Sequence, residues 1–256
     1  MYFELIDSTA ELLAKSRRQE TCCDLPLDMI SSKAEALEIQ TAALEVLGFS
    51  RSGYSIVGTS EASRKFLGIG KPIYSAIPAN AFYASGSVLR LPPGMIGAQC
   101  ELAFTMLRQF PDADEDINIE NAALAVLGCQ PAIGLLGRRT KFPHMGDIAA
   151  TADFGLHVAT ICGPFSDTKD LLNLNAVDVN AFLFKRTVVS GSASCIFGHP
   201  LEAIVWLARQ LSENRRTLLA GDVITTGSCT TILEVKPGQH LAAEFGAIGQ
   251  IECFFE

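Results

Sequence analysis

Residues 218 to 255 read LLAGDVITTGSCTTILEVKPGQHLAAEFGAIGQIECFF, where short apolar and β-branched runs alternate with glycine-bearing turns. The runs 222 to 226, 231 to 235, 240 to 244 and 249 to 255 have strand length, and Pro237-Gly238 punctuates two of them. Upstream, strands are predicted at 97 to 107, 131 to 137, 157 to 162 and 178 to 190. Two helices interrupt this series. One spans 115 to 127. The other starts at His199-Pro200, since proline suits the first helical position, and buries Leu201, Ile204, Val205, Ala208 and Leu211 while Arg209, Glu213 and Asn214 stay wet.

The N-terminal part differs. A helix over 8 to 18 has Ser8 as its N-cap with Glu11 three residues on. A second, over 31 to 47, has Ser32 before Glu35, a stripe of Ala36, Ile39, Ala43, Val46 and Leu47, and Gly48 as its stop. "GYSIVGTS" then reads as a strand leading into a short helix, 60 to 67, that Gly68 ends. Prolines 72, 78, 92 and 93 follow, and a boundary is expected at residue 80, dividing an N-terminal α/β part (1–80) from a strand-rich part (81–256). Helices up front and strands grouped behind make the fold class α+β rather than a βαβ alternation.

The chain of 256 residues is 48% hydrophobic, enough for a sizeable core, and its formal charge of −8 offers no basic face for phosphates. Nucleic acid is therefore not expected as a partner. No apolar run approaches the roughly 18 residues of a spanning helix, and the charged, amphipathic start is unlike a signal sequence, so no membrane partner and a cytoplasmic location are expected. Eight scattered cysteines, without C-x-x-C or zinc spacing, read as reduced structural thiols.

The tail, together with "GHPLEAIVWLARQL" (198–211) and "CELAF" (100–104), resembles the 2-keto-4-pentenoate hydratase and 4-oxalocrotonate decarboxylase group of the fumarylacetoacetate hydrolase superfamily. The likeness runs over most of the chain. It implies a twisted mixed β-roll holding magnesium or manganese through a Glu-x-Glu pair on one strand and a further Glu on another. A hard cation so held can chelate a 2-keto acid and stabilise its enolate.

Carried over position by position, the resemblance leaves most of that site missing. The Glu-x-Glu pair falls on Gln99 and Glu101. The third Glu, in a Pro-Ala-x-Glu stretch, falls on Gly134. The family's lysine maps onto Ser55, and an acidic residue onto Ile73. One carboxylate supplies one charge where three supply three, so no cofactor is expected, with weak magnesium or manganese binding only if the ligands are aligned elsewhere. Strand alternation turns Cys100 away from its neighbours and into packing.

Other residues could take over the chemistry. The loop "GRRTKFPHMGD" (137–147) gathers Arg138, Arg139 and Lys141 as carboxylate binders and His144 as acid or base; its bland reading is a solvated loop. Asp153 matches a family Ala-Asp-Asn-like segment, as a catalytic acid or a turn cap. Ser228 matches a Gly-Ser loop near the substrate. His157 reads as a core or interface residue, His199 as a helix cap and His240 as exposed. Glu101 as acid/base, Gln99, Ser55 and Ser228 as hydrogen-bonding groups and the arginines as acid binders suit a hydratase-like or decarboxylase-like lyase acting on a small 2-keto or dienol acid without metal. The alternative is a non-catalytic member, either a ligand-binding module or a subunit organising an oligomer. A homo-oligomer is expected in either case, and association with a related family enzyme is an open route.

Overall fold

The computed structural model describes residues 2–141, 146–167, 170–184 and 186–256. In chain order the elements are α1 (Tyr2–Gln19), α2 (Lys33–Leu47), β1 (Arg51–Val57), α3 (Glu61–Leu67), β2 (Ile73–Pro78), β3 (Phe82–Ala84), β4 (Val88–Leu89), β5 (Met95–Met106), α4 (Ile119–Ala125), β6 (Val126–Gly137), α5 (Gly146–Ala152), β7 (His157–Cys162), β8 (Asp178–Leu183), β9 (Arg186–Ser192), α6 (Pro200–Ser212), β10 (Val223–Thr225), β11 (His240–Glu244) and β12 (Gln250–Phe255). The architecture is α+β. One mixed sheet runs β2-β1-β10-β5-β6-β7-β3, and a second runs β4-β12-β11-β8-β9. Residue 80 falls between β2 and β3, which lie at opposite edges of the first sheet.

Local chemistry explains most helix ends. Ser32 accepts the amide of Glu35 to start α2, and Gly48 ends it in the left-handed region, where glycine has no Cβ to clash. His199 Nδ1 accepts the amide of Leu201 ahead of Pro200, so α6 begins as expected. The first helix starts earlier than its supposed cap: Ser8 lies inside α1 and donates to the Leu5 carbonyl. The helix expected over 115 to 127 is shorter. Asn118 caps it by accepting the amide of Asn121, and at Val126 the chain passes directly into β6.

Two strand expectations need correction. The run 178 to 190 is a hairpin, with Leu183 facing Arg186 and Phe184 at φ +49°. It turns without the Gly, Asn or Pro that would have marked it. Residues 231 to 235 do not form a ladder strand; Leu233 makes one isolated pair with Ala98, exchanging two bonds of 2.8 Å. In addition, β2 was not foreseen.

Strand alternation gives the large sheet two unlike faces. Cys100, Leu102 and Phe104 of β5, with Ile133 and Leu135 of β6, enter the main core beside α6 and the second sheet. The opposite face carries Gln99, Glu101 and Ala103 from β5 and Gly134 and Ala132 from β6, in paired register. A small apolar cluster that includes Val57, Ile73, Leu136, Leu156 and Ile232 lies on this side. Helices α1, α2 and α5 pack on one another as a further apolar cluster.

Candidate functional site

β5 is the middle strand of its sheet, and Gln99 and Glu101, two residues apart, project from the same face. Glu101 is 0% exposed. Its Oε2 accepts the Gly227 amide at 2.8 Å and the Gln99 side-chain amide at 3.2 Å. Its Oε1 has no partner. Burial pushes the Glu101 carboxyl up to about 8, although the Gly227 amide, the nearby Thr225 hydroxyl and the Gln99 amide each favour the ionised form. At neutral pH this side chain is chiefly a neutral acid.

The space beside it explains Gly134. A β-carbon there would stand 2.3 Å from Glu101 Oε1 and 3.3 Å from Gln99 Cγ, so no side chain fits while Glu101 keeps this position. The carboxyl of Glu101 lies against the place from which a third acidic ligand would project. Gly227 is also constrained: it has φ +81°, and a β-carbon on it would meet Thr59 Oγ1 at 2.6 Å.

A row of small polar residues continues across the sheet. Ser75 of β2 faces Ser55 of β1, Ser55 faces Thr225 of β10, and Thr225 faces Ala103 of β5. Ser55, Ser75 and Thr225 are all buried. Six buried side-chain oxygens lack a hydrogen-bond partner among the described residues, and five of them belong to Thr59, Ser75, Gln99, Glu101 and Thr225. Thr225 lies near Glu101 but without bonding geometry. A buried unpaired polar group costs about 1–3 kcal/mol, so such a concentration requires a physical reason.

The remaining expected site residues are placed elsewhere. Arg139 is 6% exposed and bound to Asp153: its amide donates to Asp153 Oδ2 at 2.7 Å and its guanidinium to Oδ1 at 3.0 Å. Among the described residues Glu101 is hydrogen-bonded to Gly227 and Gln99, not to this pair. The Asp153 carboxylate is committed to Arg139, whose guanidinium also donates to the Gly137, Asp153 and His157 carbonyls. Arg138 lines a cavity on the other side of the sheet. Lys141 is exposed and pairs with Asp24 at 3.1 Å. Ser228 is buried and its hydroxyl donates to the Thr230 carbonyl. His144 lies outside the described residues. His157 is buried, with Nε2 3.0 Å from Thr160 Oγ1; burial, then Arg17 and Arg139, hold it neutral. His240 is half-buried against Glu252, not freely exposed. Ser75 and Thr59 were missed in the sequence, although Ser75 stands two residues after Ile73 and so shares its face.

The donor set does not fit a magnesium or manganese ion. Gln99 and Glu101 offer one amide oxygen and one carboxylate, and Gly134 offers no side chain. Among the described residues no three His, Cys, Asp or Glu side chains converge. A hard divalent cation that gives up water reluctantly is poorly compensated by a single charge.

Residues 57–255 match the family model described as fumarylacetoacetate (FAA) hydrolase, C-terminal, and the chain belongs to that family of α+β proteins. In sequence it is similar to 2-keto-4-pentenoate hydratase of Paraburkholderia xenovorans, 26% identical over 235 residues that span 90% of this chain and 85% of that protein. It is also similar to 2-oxo-hept-4-ene-1,7-dioate hydratase of Escherichia coli, 25% identical over 98% of this chain and 97% of that one. In structure it superposes on 4-oxalocrotonate decarboxylase of Pseudomonas putida, solved with magnesium and adipate, at a TM-score of 0.88 and 20% identity over 99% and 98% of the two chains. That likeness establishes the fold.

Proposed function

We propose that this chain is a lyase-type family member that acts on a small 2-keto or dienol carboxylic acid without a metal ion. The observation that carries this reading is the row of partnerless oxygens centred on Glu101, which a small polyoxygenated ligand would satisfy. The names of the similar hydratases support the substrate class.

In this reading Glu101 is the proton donor. A carboxylic acid kept neutral by burial can donate from Oε1 to a substrate oxygen or dienol carbon, and take a proton back when water adds. Gln99, Ser55, Ser75 and Thr225 hold the ligand by hydrogen bonds. Arg138, Arg139, Lys141 and Asp153 are not part of this site. Entry requires displacement of the cover, because Gly155 sits close enough to Ser75 that a β-carbon on it would lie 3.1 Å from Ser75 Cβ.

A second reading, a ligand-binding or oligomer-organising member without turnover, is favoured by that closure: the side chains of the row are all buried. One experiment separates the two. EDTA-treated protein is given freshly generated 2-hydroxypenta-2,4-dienoate while its ultraviolet absorbance is followed, and pyruvate is titrated calorimetrically. Turnover that survives EDTA and is lost in Glu101→Gln supports the lyase. Saturable pyruvate binding without turnover selects the second reading, and neither binding nor turnover ends both.

A further inference from the structure

A cavity of about 470 Å³ opens on the side of the sheet opposite Glu101. Its floor includes Leu135 and Ala159, paired neighbours on β6 and β7 whose side chains join the main core side, whereas Gly134 and Thr160, the next pair, lie on the Glu101 side. Five arginines line it: Arg17, Arg18, Arg90, Arg138 and Arg139. In a chain of net charge −8, five of the twenty basic residues at one cavity is a concentration that the bulk composition does not predict.

Two of these arginines, Arg17 and Arg139, lie close together. Asp153 is committed to Arg139. Glu20 reaches Arg90 only at 3.9 Å, and both of those side chains are well exposed. Arg17 has neutral acceptors, the His157 and Val158 carbonyls and His157 Nδ1. Its guanidinium and that of Arg139 both lie over the Phe154 ring, at 4.7 and 5.3 Å from the centroid. Burial, with Arg139 next, pushes Arg17 down to about 9. Two guanidiniums thus share one carboxylate in a partly desolvated place, and bringing an anion to them offsets the repulsion.

We infer that this cavity is a second ligand site, separate from the Glu101 row, for a small organic carboxylate with a short apolar body. Arg90 and Arg138 take the oxyanion within the positive field of Arg17 and Arg139, and Leu135, Val158, Ala159 and Leu89 take the hydrocarbon. Bidentate arginine recognition suits carboxylate and phosphate alike; the apolar floor favours an alkyl carboxylate over inorganic phosphate.

The test is calorimetric titration of the full chain with hexanoate, adipate and inorganic phosphate, at low salt and at about 0.5 M salt, where the Debye length falls to roughly 4 Å. Hexanoate or adipate is expected to bind saturably, to weaken with salt, and to weaken about tenfold in Arg90→Gln/Arg138→Gln, a variant whose circular dichroism and thermal melt report whether its fold is kept. Glu101→Gln is expected to leave this binding unchanged, which keeps its outcome distinct from that of the lyase reading. Absence of saturable binding by either carboxylate overturns the site. So does binding by phosphate alone, or binding that is lost in Glu101→Gln and kept in the double arginine variant.

Discussion

Glu101 is held away from water, and burial outweighs the hydrogen-bond donors beside it, so its proton is tight. In the unfolded chain this carboxyl titrates near its ordinary 4.5; in the fold it titrates at about 8. Between those values the native state holds the extra proton. The contribution to stability is therefore fully present below pH 4.5 and is lost as pH rises through about 8, at about 1.4 kcal/mol per pH unit. Glu101→Gln removes this slope, so the difference in unfolding free energy between parent and variant should shift in the variant's favour from pH 5 to pH 8. Denaturant unfolding followed by the fluorescence of Trp206, the single tryptophan, measures it. The Gly134 contact gives a second prediction. Gly134→Ala should destabilise by about 1–3 kcal/mol through overpacking against Glu101, and Glu101→Ala in the same chain should recover most of that loss. Additive losses in the double variant would contradict the contact.

At the scale of elements, Ser32→Ala should cost about 1 kcal/mol because its hydroxyl caps α2, whereas Ser8→Ala should cost far less because Ser8 is an exposed residue inside α1. Thermal melts of the two variants compare them directly. The same pair shows what was legible in the sequence. A capping motif is local, so Ser32 and His199 could be read, but Ser8 satisfies the pattern by spacing alone while the helix continues through it. Strand alternation placed Gln99 and Glu101 together and Cys100 in the core. The β8–β9 turn was hidden because Phe184 adopts a positive φ without a residue type that prefers it. Arg139 and Asp153, fourteen residues apart, were both expected at the substrate; their mutual pairing depends on how β6 and the chain after α5 meet, which neither local spacing nor composition records. The row of small polar residues was equally hidden, since Ser75, Ser55 and Thr225 come from three strands that only the sheet order aligns.

For the whole molecule, the cysteines report on compactness. All eight are free, and of these Cys195 alone is exposed while Cys100, Cys129, Cys229 and Cys253 are buried. Burial raises the thiols of all four buried residues, to about 12 for Cys100 and Cys253. A disulfide-exchange reagent should therefore titrate Cys195 rapidly in native protein, and all eight only in denaturant. Rapid reaction of the buried four would mean that the β5 core opens readily. No helix among the described residues is long and apolar enough to cross a membrane.

The packing of Glu101 against Gly134 also decides how carboxylates could be added to this face. No single substitution assembles three of them, because any side chain placed at 134 meets a neighbour that already occupies its room. A Glu at 134 alone would weaken the fold before it held an ion, and a Glu at 99 alone would set two carboxylates together with nothing between them. The glycine thus acts as a latch: the way from this sequence to a three-carboxylate cluster requires several simultaneous changes.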